Sequence, residues 1–325
     1  MFKLSIHFSF RLFKSNKWNN AEKRKNVATP CFLEKATETI SSLKGIRAKS
    51  TIDNYQTALR SFCQYIGTDV ALASIDAHLI EGYQLWLHEN NVTQNTISCY
   101  MRSLRSLLFQ ISPPLKSQSL FNQVFTGKQH TDKRSIPLED IVRLQKLQLP
   151  SHSSIAFSRD IFLFSFYALG MPFVDIAFLQ KWQIKEGYIV YHRHKTGQRI
   201  RIKIEPPMQQ IISRYSREDT PYVFPVLPAH NTAHLTKDYE SARSKYNRHL
   251  RKIGIMAGIQ RRLTSYVARH SWASTAYHSN VDLSVISKAL GHTSPNTTLT
   301  YIQEIDDHRI DIANHHLLQG IFYDI

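Results

Sequence analysis

Four side chains in the second half of the sequence are of types that can neutralise and protonate an anionic substrate. In chain order they are Lys195, Arg269, His292 and Tyr301. An arginine holds its donors in a fixed fork and stays charged, whereas a lysine can release a proton when its neighbours lower its pKa. A tyrosine hydroxyl can act as a nucleophile. Each residue alone is weak evidence, because a tyrosine on a short helix more often packs than reacts.

Two of these residues flank a predicted short helix in the sequence LGHTSPNTTLTY, in which His292 precedes Tyr301 by nine positions. Gly291 predicts the end of the preceding helix. Ser294 followed by Pro295 is typical of an N-cap and a first helical position. The sequence therefore indicates a helix end, a histidine and a second helix that leads to the tyrosine.

The other two residues are expected on separate elements. The segment SYVARHSWASTAYH predicts a helix with Arg269 near its start. Its apolar face is formed by Trp272, Ala273, Ala276 and Tyr277. The segment WQIKEGYIVYHRHKTGQRIRIKIE alternates isoleucine with Arg or Lys and contains a Thr-Gly turn, which predicts a β-hairpin that carries Lys195.

The front of the chain is predicted to be helical. Residues 32–111 fit four helices, with Ser50, Asp76 and Thr93 as N-caps. Basic side chains lie away from the apolar stripes at Arg47, Lys49, Arg60, Arg102 and Arg105. They form either a solvated face or a surface that contacts phosphates.

The composition divides the chain further. Residues 1–31 are predicted to be a basic arm, and residues 112–135 a linker rich in polar residues, Pro and Gly. Residues 136–325 show helical patterns around the hairpin. The expected fold class is therefore mainly α with a small β-sheet, in two domains.

The charge of the sequence points to a polyanionic partner. The 325 residues carry 41 Lys or Arg against 25 Asp or Glu, a net charge of +16, and a chain this basic most often meets nucleic acid. Three cysteines without C-x-x-C spacing argue against a disulfide framework or a zinc site and fit a reducing cytoplasm. No apolar run approaches the length of a membrane span.

The motifs Ala268-Arg269-His270-Ser271 and Leu290-Gly291-His292, with the spacing to Tyr301, resemble the tyrosine recombinase (phage integrase) family over residues 32–318. The segments GMPFVDIAFL and YVARHSWAS are similar to a subgroup of invertase-like proteins from mobile elements of gut bacteria. The resemblance implies a four-helix SAM-like core-binding domain that clamps DNA, followed by an α+β catalytic domain.

The resemblance also implies an activity and residue roles. Tyr301 would be the nucleophile that forms a 3′-phosphotyrosine, Arg269 the second of two phosphate-binding arginines and Lys195 the general acid, while His292 precedes the nucleophile helix. The protein would be a site-specific DNA recombinase without a cofactor or metal. It would act on double-stranded recombination sites as a homotetramer that exchanges C-terminal segments, here residues 306–325.

Two positions depart from the family pattern. The first arginine is expected beside the turn Gly170-Met171, but Leu169 and Pro172 occupy the two candidate positions ahead of Asp175. Arg193 is the candidate substitute if its strand runs regularly towards Lys195, although a solvent-facing Arg193 is the commoner outcome for a hairpin. Tyr266 stands where the family often has histidine, and a supporting role is expected for it.

Other interpretations remain open at this point. His192 and His194 flank Arg193, but no carboxylate or cysteine lies at ligand spacing, so surface histidines are expected rather than a metal site. The missing arginine favours a catalytically impaired relative that binds DNA as an accessory protein. A type IB topoisomerase would use the same nucleophile. The target site, and whether the reaction is integration, excision or inversion, do not follow from the sequence.

Overall fold

The computed structural model describes residues 31–113, 119–129, 134–228 and 234–299, together with positions 314, 315 and 318. These residues belong to two compact units, within Met1–His130 and Thr131–Ile325. Tyr301 lies outside the described residues, as do all but one residue of the predicted basic arm and most of the predicted exchange segment. None of the described helices combines the length and apolarity that crossing a bilayer requires.

The described residues of the first unit form four α-helices, in agreement with the predicted helical fold. They are α1 (Phe32–Ser42), α2 (Lys49–Ile66), α3 (Ala77–Glu89) and α4 (Gln94–Ile111). Their apolar faces meet in one core, where the Phe62 ring packs edge-on against Phe32 and Tyr83, with centroids 5.6 and 5.1 Å apart. Edge-to-face aromatic pairs of this kind add to the stabilisation from burial alone.

The predicted N-caps of this unit have three different outcomes. Asp76 accepts a hydrogen bond from the Leu79 backbone N–H at 2.8 Å and caps α3 as predicted. Thr93 occupies the N-cap position of α4, but its hydroxyl pairs with the Thr96 hydroxyl at 2.8 Å instead of the backbone. The prediction for Ser50 is wrong, because the N-cap of α2 is Ala48 and Ser50 lies within the first turn of the helix.

Part of the predicted linker packs into the first unit. Leu120, Phe121 and Val124 are buried in the core of that unit. Residues 119–129 are also held by the Asn95 side chain, which donates to the Gln129 carbonyl at 2.9 Å and accepts from its N–H at 2.8 Å. The linker prediction is therefore wrong for residues 119–129, because buried apolar side chains outweigh the polar composition of the segment.

The helices of the second unit are packed around one central helix. The α-helices of the described residues of this unit are α5 (Leu138–Lys146), α6 (Ser154–Tyr167), α7 (Phe173–Ala177), α8 (Pro206–Tyr215), α9 (Leu235–Met256), α10 (Val267–His278), α11 (Leu283–Leu290) and α12 (Pro295–Leu299). Helix α6 is apolar on nearly all sides and packs against α5, α8, α9 and α10. A helix that is hydrophobic all round is stable only when it is enclosed in this way.

The predicted hairpin is present as part of a three-stranded antiparallel sheet. Its strands are β1 (Ile184–Lys185), β2 (Tyr188–His192) and β3 (Arg199–Lys203), in the order β1-β2-β3. Tyr191 pairs with Ile200, and both side chains face the core. Strand β2 ends before Arg193, so Lys195 lies in the turn that joins β2 to β3.

The packing of residues 119–129 gives a prediction about stability. Replacing Phe121 by Ala should destabilise the first unit by about 3–5 kcal/mol, because the change leaves a cavity in a packed core. The neighbouring Asn122 is exposed, and Asn122→Ala should stay near wild type. Urea unfolding of the full chain measures both changes. Equal, small effects would mean that the segment behaves as a linker.

Candidate active site

The site is organised around Arg269, the third residue of α10, which is buried with 2% of its surface exposed. Its Nη1 donates to the Gly170 carbonyl at 3.0 Å and its Nη2 to the Leu290 carbonyl at 2.5 Å. Gly170 has a φ of 70°, and a Cβ there would lie 2.9 Å from the Arg269 Cα. The glycine of the Gly-Met turn therefore allows α10 to approach and supplies a carbonyl that orients the guanidinium.

Helix α11 ends in a glycine cap that fixes the position of His292. Gly291 has a φ of 61°, and the His292 N–H donates to the Ser287 carbonyl at 3.0 Å. This backbone bond is that of a Schellman motif. The prediction that Gly291 ends the helix is confirmed. The residue after the cap is turned back toward Arg269, whose Nη2 lies 3.1 Å from His292 Nε2.

Arg193 is a second buried guanidinium in the same place. It has 6% of its surface exposed, and its Nη1 donates to the carbonyls of Leu290 at 2.6 Å and Gly291 at 3.3 Å. A Cβ on Gly291 would lie 2.6 Å from the Arg193 Cδ. The expectation of a solvent-facing Arg193 is wrong, because the residue that follows β2 turns inward to the end of α11.

The Leu290 carbonyl thus accepts from both arginines. The last carbonyls of a helix have no partner within the helix and carry the negative end of its dipole, so cations bind favourably there. Asp175 in α7 adds a charge partner, with its Oδ2 3.6 Å from Arg193 Nε and its Oδ1 accepting from the His194 N–H at 3.0 Å. Asp175 thereby holds both Arg193 and the turn that carries Lys195.

His292 is held on both ring nitrogens. Arg269 can only donate, so Nε2 accepts, and Nδ1 then carries the proton and donates to the Thr298 hydroxyl at 2.9 Å. Burial lowers the pKa of His292 from 6.5 to about 4, and the charges of Arg269, Arg193 and Lys195 lower it in the same direction. At neutral pH the ring is therefore uncharged.

The remaining candidates occupy more exposed positions. Lys195 is exposed in the β2–β3 turn, close enough to influence the pKa of His292. Tyr266 directly precedes α10, is 41% exposed, and its ring centroid lies 6.0 Å from that of His270. Tyr301 is outside the described residues; α12 begins at Pro295, as predicted, and is described as far as Leu299.

The two positions expected to hold the first arginine have structural roles instead. Leu169 adopts a φ of 57° and packs at the edge of the core of the second unit. Pro172 is the N-cap residue of α7. Arg193 is therefore the second guanidinium beside Arg269 in the described part of this site.

The five basic residues proposed to bind DNA lie on the first unit. Four of them are exposed and one, Arg105, is half-buried. The exposed ones are Arg47, Lys49, Arg60 and Arg102. Arg60 donates to the Gln56 carbonyl at 3.3 Å and Arg102 to the Ser98 carbonyl at 3.2 Å, so their stems lie along their own helices.

Sequence reasoning gave no role to two residues that hold the site. Asp175 was visible as an acidic residue after the Gly-Met turn, but its contact with Arg193 joins elements that are distant in sequence. Thr298, fully buried in α12, contacts His292 across six positions. Its signal was a threonine between two residues already proposed for chemistry.

Comparisons with known proteins identify the family of this chain. The sequence matches the family described as "Phage integrase family" over residues 145–308 and the "Phage integrase SAM-like domain" over residues 31–110. The chain belongs to the phage integrase family. The sequence-based prediction of this family and of its fold is confirmed.

Individual relatives of this phage integrase family member support the family assignment. Tyrosine recombinase XerD of Listeria innocua is 24% identical over 271 residues, which cover 79% of this chain and 89% of the relative. A tyrosine recombinase of Pseudothermotoga lettingae is 32% identical over 71 residues, which are 22% of this chain and only 25% of that protein. The chain thus aligns with about a quarter of that relative.

Solved structures share the fold. A lambda integrase dimer bound to a core site superposes with a TM-score of 0.65 and 12% identity, covering 84% of this chain and 95% of that one. The Tn1549 transposon integrase in complex with transposon right end DNA gives 0.65 and 12%, covering 89% of this chain and 100% of that one. At these identities the similarity shows the fold alone.

The electrostatics of the site give a prediction about pH. The pKa of His292 is lower in the folded than in the unfolded protein, so the unfolded state takes up the proton first as pH falls. The stability that neutral His292 contributes is present above about pH 6.5 and is lost towards about pH 4. Arg193→Met should raise the pKa of His292, because one nearby positive charge is removed.

An NMR titration of histidine side chains measures this change, with the His292 signal identified by its loss in His292→Gln. Arg199→Met is the matched control, since Arg199 is exposed on β3. An unchanged midpoint in Arg193→Met would contradict the placement of Arg193 beside His292.

Proposed function

We propose that this protein is a site-specific DNA recombinase that cleaves and rejoins strands through a 3′-phosphotyrosine intermediate. The observation that carries the proposal is the convergence of Arg193, Arg269 and His292 at the end of α11, directly ahead of the segment that leads to Tyr301. Membership of the phage integrase family supports the same conclusion.

The charge of the site favours a phosphate as its occupant. Arg193 and Arg269 are both buried, with Lys195 nearby, and Asp175 is the acidic partner in contact with Arg193 among the described residues. Buried charges are costly unless they are compensated, so this excess of positive charge is stabilised by an anion. A phosphodiester supplies the charge and the acceptor oxygens that guanidinium groups bind.

The chemistry assigns a role to each group. The Tyr301 hydroxyl loses its proton to water as its oxygen attacks the scissile phosphorus, and the bond to the 5′ oxygen breaks as the phosphotyrosine bond forms. Arg193 and Arg269 neutralise the charge of the phosphorane, because preorganised donors act most strongly where charge develops. Lys195 donates a proton to the departing 5′ oxygen. His292 donates to a non-bridging oxygen. The intermediate retains the bond energy, so rejoining needs no nucleotide.

Arg193 takes the place of the missing first arginine. The usual positions hold Leu169 and Pro172, but the fork of Arg193 reaches the same helix end as that of Arg269. Asp175 stabilises its charge. The strand end in this protein thus provides the donor that the Gly-Met turn lacks. This arrangement favours an active enzyme over the impaired accessory protein.

The substrate and assembly follow by analogy with the structural neighbours. Structures of lambda integrase include a dimer bound to a core site and a tetramer bound to a Holliday junction. We extend this to the present chain as double-stranded recombination sites bound by a homotetramer, with the basic residues of the first unit on the phosphates. Residues 306–325 would provide the exchanged segment.

The nucleophile assignment predicts a covalent adduct. The substrate is a nicked suicide duplex built from the DNA repeats that flank the gene of this protein. Because this duplex loses the leaving strand after cleavage, it should trap wild-type protein on DNA. Tyr301→Phe should bind the duplex normally but form no adduct, because it lacks only the attacking oxygen. Denaturing gels detect the adduct. An adduct with Tyr301→Phe would refute the assignment of Tyr301 as nucleophile, and the absence of an adduct with wild type would favour the accessory protein.

A recombination assay on paired sites distinguishes this protein from a type IB topoisomerase, which would only relax DNA.

The role proposed for Arg193, in place of the missing first arginine, predicts a change in the rate of strand cleavage. Arg193→Ala should reduce the single-turnover cleavage rate roughly 100- to 1000-fold, as loss of one preorganised donor does, with DNA affinity little changed. Arg193→Lys should recover only part of the rate, because an ammonium lacks the fork. Arg199→Ala, at an exposed position, serves as the control. Wild-type cleavage by Arg193→Ala would show that another group fills the missing position.

A further inference from the structure

We infer that Thr298 is a positioning residue whose hydroxyl accepts a hydrogen bond from His292 Nδ1 in the free protein and donates one to Nδ1 when the scissile phosphate is bound. This inference rests on the proposed function, because it concerns the state of His292 during strand cleavage. It adds a residue of the buried face of α12 to the machinery of the site.

The free state is defined by the hydrogen bonds around the ring. Arg269 Nη2 lies 3.1 Å from His292 Nε2, and arginine has no acceptor atom, so Nε2 carries no proton. The neutral ring then has its proton on Nδ1, which donates to Thr298 Oγ1 at 2.9 Å. The hydroxyl is an acceptor in this state.

The bound state requires the opposite tautomer. A non-bridging phosphate oxygen has no proton to donate, so His292 reaches it only through an Nε2–H. A neutral ring with its proton on Nε2 has a bare Nδ1, which needs a donor. One proton leaves Nδ1 and one arrives at Nε2 through solvent, so the charge of the ring does not change.

A hydroxyl suits both states because it is a donor and an acceptor at once. A carbonyl or a carboxylate could serve only the free state, and an ammonium only the bound state. Thr298 is also fully buried in the short helix α12, which begins three positions after His292. Its hydroxyl oxygen therefore keeps the same place while its hydrogen rotates. The contact fixes the ring plane in both states.

The surroundings make a neutral ring the stable form in both tautomers. The cationic groups that face His292 are Arg269 from α10 and Arg193 and Lys195 from the end of the hairpin. Their charges oppose a third, imidazolium charge. A change of tautomer in a neutral ring, rather than its protonation, is therefore the way in which this site converts Nε2 of His292 from a hydrogen-bond acceptor into a donor.

The test compares two substitutions of Thr298 with a neighbouring control. Thr298→Val keeps the shape but removes the hydroxyl, and we expect single-turnover cleavage of the suicide duplex to fall roughly 10- to 100-fold, the usual effect of losing a group that orients a functional histidine. Thr298→Ser restores the hydroxyl and should recover most of the rate. Thr297→Val, at an exposed position of the same helix, should cleave like wild type.

A double-mutant cycle separates positioning from simple packing. If the hydroxyl acts through His292, Thr298→Val should cost little further rate in a His292→Gln protein, whereas a packing defect would add its full effect. Additive losses, or wild-type cleavage by Thr298→Val, would overturn the inference. Failure of Thr298→Ser to recover the rate would do so as well.

Histidine NMR on the full chain reads the tautomer directly. Free protein should show His292 with its proton on Nδ1, and Tyr301→Phe protein bound to the uncleaved duplex should show it on Nε2. An imidazolium, or the same tautomer in both states, would overturn the inference even if Thr298→Val did not fold. Failure of wild-type protein to form an adduct would count against the proposed function. The tautomer of His292 in the free protein would still test the part of this inference that concerns the free state.

Discussion

The C-terminal carbonyl of α11 is the point on which the catalytic unit depends. Leu290 offers one oxygen to two guanidinium groups, Arg193 from the sheet and Arg269 from α10. These cations are nearly fully buried, which is tolerable because a helix end supplies partial negative charge and unpaired acceptors at the same place. This carbonyl thus binds both the residue that follows β2 and a residue at the start of α10.

Two glycines make this convergence possible. A side chain at Gly291 would collide with the Arg193 Cδ, and one at Gly170 with the Arg269 backbone. Both also have positive φ angles that favour glycine. The motifs Leu-Gly-His and Gly-Met are therefore two halves of one packing arrangement, in which backbone carbonyls approach arginines closely enough to orient them.

In the proposed mechanism, Arg193 takes the place of the arginine that the Gly-Met turn lacks. That mechanism requires two guanidinium groups near the end of α11, and the chain segment that supplies each of them is secondary. Arg193 reaches this point from the end of β2, and Asp175 in α7 stabilises it. His292 and Thr298 then connect the helix end to α12 and to the chain that continues toward Tyr301.

The sequence alone determined the local features of this protein. Helical periodicity, the Asp76 cap, the glycine end of α11, the Thr-Gly hairpin and the position of Arg269 near the start of α10 all depend on neighbours within a few residues, so they can be read from the chain. The family motifs belong to the same local class. The assignment of Tyr301 still rests on them.

Only the tertiary structure decided which way Arg193 faces, that Asp175 holds it, and that residues 119–129 pack as part of the first unit. The bond from Arg193 to Leu290 joins residues 97 positions apart, and no local pattern encodes such a pairing. Strand β2 ends at His192, and Arg193 continues the inward positions of Ile189 and Tyr191, whereas Lys195 in the turn is exposed. The contact with the end of α11 then fixes the position of the Arg193 guanidinium.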